Sequence, residues 1–379
     1  MNAFLGMLAN KPRLLGLGEP THLENDLLRL RNEAFRQLVE EEGYRTIAVE
    51  SDCLMGLVVD DYVTSGVGEL DEVMAQGFSH EWGGLAGNRE LVQWMQEFNE
   101  GRVDQVRFAG FDGPLETSAP ASPRPVLTTL HAYLATWLDA DLLPCTADAL
   151  DALLGSDERW TNPATMMDPT QSIGRTADAE RLQLIAGDLT ALVDTQTPYL
   201  IAKTSREDWQ RARLYARTAS GLLRYHYWMA DQSDRRIARL LAQRDSMMAA
   251  NLLDLVDRGP TLVFAHNAHL QREMSSMHMA GANREWWSAG ALVSAHLGEQ
   301  YAFFATALGT MRHHEVDTPP ADTIEGVLYE QDQQLIDPRT LTGSLQARVS
   351  PWYGYATLDP AHLPSIDGIV FVKDISPSI

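Results

Sequence analysis

Short apolar runs rich in β-branched residues alternate along the chain with stretches of helical spacing. These runs predict strands over residues 13–18, 46–49, 106–110, 261–265, 301–306 and 368–372. After the first run, apolar residues fall near helical spacing from Asp26 to Glu42, and Gly43 ends the pattern. The alternation favours an α/β fold with a central, mainly parallel sheet flanked by helices.

The middle of the chain follows a different pattern. No comparable strand is predicted between about residues 123 and 257, and three long helical stretches occur instead, over residues 127–142, 178–193 and 208–256. Breaks rich in proline and polar residues predict loops over residues 120–125 and 155–175. We therefore predict a large helical lobe, residues 121–257, inserted between the two parts of a sheet domain, residues 1–120 and 258–379.

Ionisable and amide side chains follow four of the predicted strands. In chain order they are Glu19, His22, Glu50, Asp52, Asp112, His266, Asn267 and His269. Each one alone has an ordinary structural explanation, such as a helix cap, a turn or a half-buried histidine. The carboxyl ends of parallel strands share one edge of the sheet, which is where open α/β sheets bind ligands. The agreement of four strand ends therefore predicts a common crevice.

Such a crevice favours acid/base chemistry. A neutral imidazole can accept a proton near pH 7 when a carboxylate holds its other nitrogen, and His22 with Glu19 or Glu50 fits this arrangement. His266 and His269 could supply an acid or hydrogen bonds to an oxyanion. The nearest approach to a serine-nucleophile motif, residues 77–81, ends in glutamate where the motif has glycine. Activated water is therefore the predicted nucleophile.

Zinc is the alternative use of the same residues. His266 and His269 with Glu19, His22 and Glu50 offer enough nitrogen and oxygen ligands. Neither H-E-x-x-H nor H-x-x-E-H occurs, and His313-His314 does not follow a predicted strand end. Cys53 and Cys145 have no companion at thiolate-site spacing, and no phosphate-binding glycine motif opens a helix. We expect no metal and no cofactor.

Composition narrows the class of partner. The 379 residues are 45% hydrophobic, enough to bury a large core, and the formal net charge of -22 disfavours nucleic acid and anionic membranes. No apolar run reaches the length of a membrane span, and the first residues lack a basic region followed by a cleavage site. We expect a cytoplasmic protein that binds a small molecule; the oligomeric state is open.

Several blocks of the sequence resemble one known family. Gly18-Glu19-Pro20-Thr21-His22, followed by Asp26 and Arg31, resembles the opening G-E-x-x-H motif of the erythromycin esterase family. Residues 47–50, 88–99, 108–112 and 265–269 are similar to its later blocks, so that the resemblance spans roughly residues 12 to 310. Leu23 stands where a glycine is common in the family, and Asp26 where glutamate is usual.

The resemblance implies an α/β sheet with a helical lobe and a water-dependent hydrolysis of a lactone, as in the macrolide-inactivating members that confer antibiotic resistance. It implies His22 as general base, Glu19 and Glu50 as its carboxylate partners, and Arg31, His266 and His269 as further catalytic groups. Four other polar residues are predicted to contact the substrate, namely Asp52, Glu90, Asp112 and Asn267.

Two further functions fit the same residues. One is a biosynthetic enzyme that uses the cluster for cyclisation, elimination or acyl transfer on a secondary metabolite. The other is a small-molecule binding protein without activity, although a binder has little need for so many ionisable groups in one cleft. Hydrolysis of an ester or lactone in a bulky secondary metabolite is the preferred hypothesis.

Overall fold

A computed structural model describes residues 4–115, 120–279, 281–331, 333–350 and 352–377. The chain divides into two compact units, one made of residues 1–111 and 252–379 and the other of residues 112–251. Within the described residues, no helix combines the length and the apolarity that crossing a membrane requires.

Nine strands occur in the described residues. They are β1 Leu14–Glu19, β2 Thr46–Asp52, β3 Arg107–Asp112, β4 Thr261–His266, β5 Met274–Met279, β6 Ala282–Trp287, β7 Tyr301–Thr310, β8 Leu335–Ile336 and β9 Gly368–Asp374. Seven of them form one sheet in the order β3-β2-β4-β1-β7-β9-β8, and β5 and β6 form a separate hairpin.

The sheet is mainly parallel. β1 pairs in parallel with β4 and β7, β2 with β4, and β7 with β9, whereas β8 is antiparallel to β9. The predicted fold class and its six strands are confirmed. The hairpin of β5 and β6 and the two-residue β8 were not predicted, because the first is mostly exposed and the second is too short to show a pattern.

The described helices are α1 Asn25–Glu42, α2 Gly56–Ser65, α3 Leu70–Gln76, α4 Ala86–Asn99, α5 Arg124–Trp137, α6 Ala147–Leu154, α7 Ala177–Thr195, α8 Thr197–Lys203, α9 Arg206–Met229, α10 Arg236–Val256, α11 Asn267–Leu270, α12 Ala289–Leu297 and α13 Ile324–Tyr329. Gly43 ends α1 in the left-handed conformation, with φ 69°. The main apolar core of the first unit joins the buried face of α1, including Phe35 and Leu38, to α4 and to sheet residues such as Leu17 and Phe264.

In the second unit, α9 packs against α5 and α7. The single helix predicted over residues 208–256 is wrong, because the chain leaves the helix between α9 and α10. The Asp231 carboxylate accepts hydrogen bonds from the backbone N–H and hydroxyl of Ser233 and pairs with Arg239. This local turn offers the backbone an alternative to continuing the helix.

Candidate active site

Three adjacent strands bring two carboxylates and a histidine together at their carboxyl ends. Glu19 is the last residue of β1, Glu50 lies near the end of β2, and His266 is the last residue of β4. β4 lies between β1 and β2, and Glu19 is directly opposite His266 in the pairing of β1 with β4. Parallel pairing therefore places these side chains at one edge of the sheet, as expected from the sequence.

His22 lies between two buried carboxylates. Its Nδ1 is 2.7 Å from Glu19 Oε1, and its Nε2 is 4.0 Å from Glu50 Oε1. The first distance is a hydrogen bond and the second is too long for one. About a third of the His22 side chain is exposed, and its ring lies against Trp82, with the centroids 5.0 Å apart.

Glu50 contacts the two other histidines. Its Oε2 accepts a hydrogen bond of 2.9 Å from the backbone N–H of His266, and its Oε1 lies 3.4 Å from His269 Nε2. The Glu50 side chain is 3% exposed. Glu19, His22, Glu50, His266 and His269 therefore form one group, called here the His22 cluster.

The His266 imidazole is held by the backbone around it. Its Nδ1 accepts a hydrogen bond from the Ala268 N–H, and the ring also hydrogen-bonds the backbone at Pro20. Burial lowers the pKa of His266 to about 3, and the neighbouring His22 and His269 act in the same direction. His266 is consequently neutral near pH 7 and cannot supply an imidazolium proton.

Glu19 and Arg31 are two oppositely charged side chains that lie buried at this site. Burial raises the pKa of Glu19 above its ordinary value, although His22 and Arg31 oppose this effect, and Glu19 Oε2 is buried without a hydrogen-bond partner. Burial lowers the pKa of Arg31 to about 10. The Arg31 guanidinium donates to the side chains of Asn32 and Asn88 and to the Gly87 carbonyl.

A narrow pocket with room for about one water molecule lies beside His22. Its polar lining includes Glu19, His22, Arg31 and Glu50, and Trp82 and Phe264 contribute apolar surface. Carboxylates, an imidazole and aromatic rings around one small cavity are suited to holding a polar group of a largely apolar molecule.

The four predicted substrate-binding residues have other partners. Asp112 pairs with Arg244 at 2.7 Å, the Asp52 carboxylate accepts from the backbone N–H of Leu54, and Glu90 hydrogen-bonds Arg29 at the surface. The Asn267 amide donates to the Thr306 carbonyl and accepts from its N–H. Asn267 thus fixes the loop that carries His266 and His269 to β7.

Asn267 also explains a glycine in β1. A Cβ at Gly18 would lie 2.1 Å from Asn267 Oδ1, so a side chain there would displace the amide. Ser79, the serine of the incomplete nucleophile motif, is buried and hydrogen-bonds Ser51 and the Asp52 N–H. It has a structural role that the sequence alone did not reveal.

Two residues around the cavity were missed from the sequence. Trp82 covers one side of the His22 ring, and Asn88 links Arg31 to Trp82 by accepting from the guanidinium and donating to the Trp82 carbonyl. Asn88 did carry a signal, because it lies on the apolar face of α4 with Leu91 and Met95, where a buried amide calls for an explanation. For Trp82 the sequence carried no signal other than the large size of its side chain.

The sequence is similar to one protein family and to a named bacterial protein. The sequence model for erythromycin esterase matches residues 39–365. An Escherichia coli protein, erythromycin esterase type II, is 22% identical over 270 residues, which are 69% of this chain and 61% of that protein. The alignment thus spans less than two thirds of this relative.

Three solved structures share the fold. A Bacillus cereus protein has a TM-score of 0.75 at 17% identity, over 98% of this chain and 91% of that chain. A succinoglycan biosynthesis protein scores 0.71 at 16% identity, over 99% and 90%. An erythromycin esterase mutant in its open conformation scores 0.67 at 18% identity, over 96% and 91%. At these identities the likeness concerns the fold alone.

Proposed function

The chain belongs to the erythromycin esterase family, and on that premise we propose that it is a hydrolase that cleaves an ester or lactone with water activated by His22. The observation that carries the proposal is the 2.7 Å hydrogen bond between His22 Nδ1 and Glu19 Oε1, beside a cavity that both residues line.

This hydrogen bond selects the protonation state that the reaction needs. With the Nδ1 proton donated to Glu19, Nε2 is the nitrogen that carries the lone pair and can accept a proton. The 4.0 Å between Nε2 and Glu50 Oε1 is short enough for one water molecule to hydrogen-bond to both atoms. Glu50 then orients the nucleophile, and His22 receives its proton.

The reaction follows from this arrangement. Water gives a proton to His22 Nε2 while its oxygen attacks the carbonyl carbon, and the carbonyl electron pair moves to the oxygen. When the tetrahedral intermediate collapses, the ester C–O bond breaks and the leaving oxygen takes the proton back from Nε2. The products are a carboxylic acid and an alcohol, and the Glu19 carboxylate stabilises the imidazolium that forms in between.

The remaining residues of the His22 cluster act as positioning residues. The backbone N–H of His266 and the ring of His269 hold the two oxygens of Glu50, so the carboxylate keeps one orientation. Arg31 places a positive charge near Glu19 and favours its ionised form against the effect of burial. The neutral His266 ring accepts a hydrogen bond from the Ala268 N–H and thereby stabilises the backbone turn after β4.

The family suggests the substrate class to test first. The relative is named erythromycin esterase type II, so macrolactones are the first compounds to test. The narrow pocket beside His22 has room for about one water molecule, so we expect the reacting ester to lie at its mouth and the rest of a bulky molecule to stay outside.

The test uses His22→Ala and His22→Gln with a panel of macrolactones and a chromogenic aryl ester. We expect kcat to fall by roughly 10²–10⁴-fold, the usual contribution of a general base, with little change in KM. His296→Ala is the matched control, because His296 is exposed on α12 and bonds only within its own helix. Normal turnover by the His22 variants on a compound that the wild type hydrolyses would refute the proposal.

A further inference from the structure

A second group of histidines and a carboxylate lies at the same edge of the sheet. Glu24 Oε1 is 3.0 Å from His313 Nε2 and 3.7 Å from His314 Nε2. Among the described residues, these three form the group of ligand atoms that all lie within 4.8 Å of one another. The zinc ligands considered from the sequence, around His266 and His269, do not form such a group.

The fold brings the three side chains together from distant parts of the sequence. Glu24 precedes α1 in the loop that follows β1, and the two histidines lie in a short 3-10 helix, Arg312–His314, that follows β7. β1 and β7 are neighbouring parallel strands, so the loops that follow them emerge at the same edge. The residues Glu24, His313 and His314 are called here the Glu24 cluster.

The Glu24 carboxylate is incompletely satisfied. Its side chain is 5% exposed, and Oε2 is buried without a hydrogen-bond partner. Although Glu24 is the residue that precedes the first turn of α1, its side chain does not cap that helix. A buried carboxylate with an unsatisfied oxygen costs free energy, and a cation bound at Oε1 would stabilise the negative charge that the two oxygens share.

The spacing fits one class of ion. Bonds of about 2.0–2.1 Å at the tetrahedral angle place the ligand atoms of zinc about 3.3 Å apart. The two Glu24–histidine distances, 3.0 and 3.7 Å, lie on either side of that value. We propose that Glu24, His313 and His314 bind a divalent transition metal of the zinc type, through one carboxylate oxygen and the two Nε2 atoms.

Neighbouring groups favour an ordered site with one open position. The His314 ring stacks on Trp352 with the centroids 4.0 Å apart and the planes within 5°, which holds its Nε2 in place. The His313 and His314 side chains are 22% and 38% exposed, so solvent reaches the cluster from their side. Three protein ligands with solvent access leave the fourth position for water or another oxygen ligand.

A metal here links two loops. One loop carries His22 two residues before Glu24, and the other follows the long buried strand β7. None of the three ligands belongs to the groups to which the hydrolysis is assigned, so the metal proposal does not require the hydrolysis proposal to be correct. Its effect is to fix the loop that positions His22 and to stabilise the folded chain.

The experiment uses the full chain freed of metal with a chelator and dialysed. Zn²⁺ binding is measured by calorimetry and Co²⁺ binding by the visible absorption of tetrahedral cobalt, both without substrate. We expect one ion per chain and a higher Tm in the presence of Zn²⁺. His314→Asn and Glu24→Gln should weaken Zn²⁺ binding by more than about 100-fold, because loss of a ligand exceeds the effect of losing an outer partner.

The control separates this site from the His22 cluster. His266→Asn combined with His269→Asn removes the rival ligands and should leave the cobalt spectrum unchanged. Loss of the spectrum in that double variant, or its retention in His314→Asn, would overturn the assignment. Absence of Zn²⁺ binding by the wild type would do the same and would leave Glu24 and His313 as a hydrogen-bonded pair. His314 is partly exposed, so its variant should fold even where Glu24→Gln does not.

Discussion

The His22 cluster and the Glu24 cluster use the same residue types at the same sheet edge but differ in how their atoms are paired. In the His22 cluster, Glu19 faces one nitrogen of His22, and both oxygens of Glu50 have nearby nitrogen atoms. In each cluster one carboxylate oxygen lies near two Nε2 atoms, Glu50 Oε1 at 3.4 and 4.0 Å and Glu24 Oε1 at 3.0 and 3.7 Å. The second oxygen of Glu50 accepts a hydrogen bond from the backbone of His266, whereas the second oxygen of Glu24, like Glu19 Oε2, is buried without a partner.

The difference determines the chemistry that each group can perform. An imidazole that donates one nitrogen to a carboxylate keeps the other free for a proton, which suits acid/base work. In the Glu24 cluster the carboxylate oxygen and both Nε2 atoms all lie within 4.8 Å of one another, which suits a cation when the imidazoles are neutral. Residue type alone does not distinguish the two cases, whereas the partners of each ring nitrogen and carboxylate oxygen do.

The largest expected effect is on Glu50. Glu50→Gln keeps the shape but removes the charge next to His22, so the imidazolium that forms during the reaction is less stable. We expect kcat to fall by roughly 100-fold or more, with cobalt binding to the Glu24 cluster unchanged. Glu33→Gln on the exposed face of α1 is the matched control for loss of a carboxylate.

This variant directly tests the contrast between the clusters. If Glu50→Gln abolished metal binding and left turnover intact, the assignment of catalysis to one cluster and metal to the other would be reversed. A fall in both would indicate that the two groups are coupled through the loop that carries His22 and Glu24.

The second expected effect concerns acid stability and the neutral state of His266. The unfolded chain binds a proton at His266 below its ordinary pKa of 6.5, whereas the folded protein does not until about 3. Stability therefore falls as the pH falls through this window, by up to about 1.4 kcal/mol per pH unit from this residue. His266→Asn should remove that contribution and reduce the slope of the unfolding free energy against pH.

The measurement is urea unfolding at several pH values between 7 and 5. His226→Asn is a useful comparison in the second unit, because burial lowers the pKa of His226 to about 4 and the same reasoning applies to it. If the slope of the unfolding free energy against pH were unchanged in His266→Asn, the folded protein would not hold this ring neutral. A neutral His266 would then no longer be a feature of the His22 cluster.

The sequence predicted the parts of the site that depend on strand ends. Glu19, Glu50 and His266 follow from parallel strands, since the register alone brings them together. The direction of a side chain beyond the strand end does not follow in the same way. Asp112 was predicted to contact the substrate from its place at the end of β3, and nothing in the sequence indicated that its carboxylate pairs with Arg244, 132 residues away.

The Glu24 cluster could not be predicted for a related reason. His313 lies 289 residues from Glu24, and its contact depends on β7 being next to β1, an order that hydrophobic runs do not reveal. Without the strand order, His313-His314 had no link to a strand end and no ligand spacing. Long-range pairing, more than local pattern, decides which histidines meet.

The smallest expected effect is at Leu23, which lies between His22 and Glu24 and therefore between the two clusters. In the described residues, the non-glycine positions with positive φ are Leu23, His80, Glu81 and Glu315. Each of them lies within two residues, along the sequence, of a residue that lines the pocket beside His22 or belongs to the Glu24 cluster. Strained backbone of this kind persists where the surroundings hold it and concentrates at functional sites.

Leu23→Gly should relieve this strain. Leu23 has φ 73° and is 54% exposed, so glycine removes an unfavourable conformation and loses little burial. Against this stands the greater freedom of glycine in the unfolded chain, which costs about 0.5–1 kcal/mol. We expect the unfolding free energy to stay level or rise by up to about 1 kcal/mol, while turnover and Zn²⁺ affinity each fall a few-fold because the shared loop is less rigid.

Leu184→Gly, at a 61% exposed position in α7, is the matched control, and its unfolding free energy should fall by about 1 kcal/mol. Equal losses in the two variants, measured by urea unfolding, would show that Leu23 carries no strain and that the two clusters do not depend on the conformation of the residue between them.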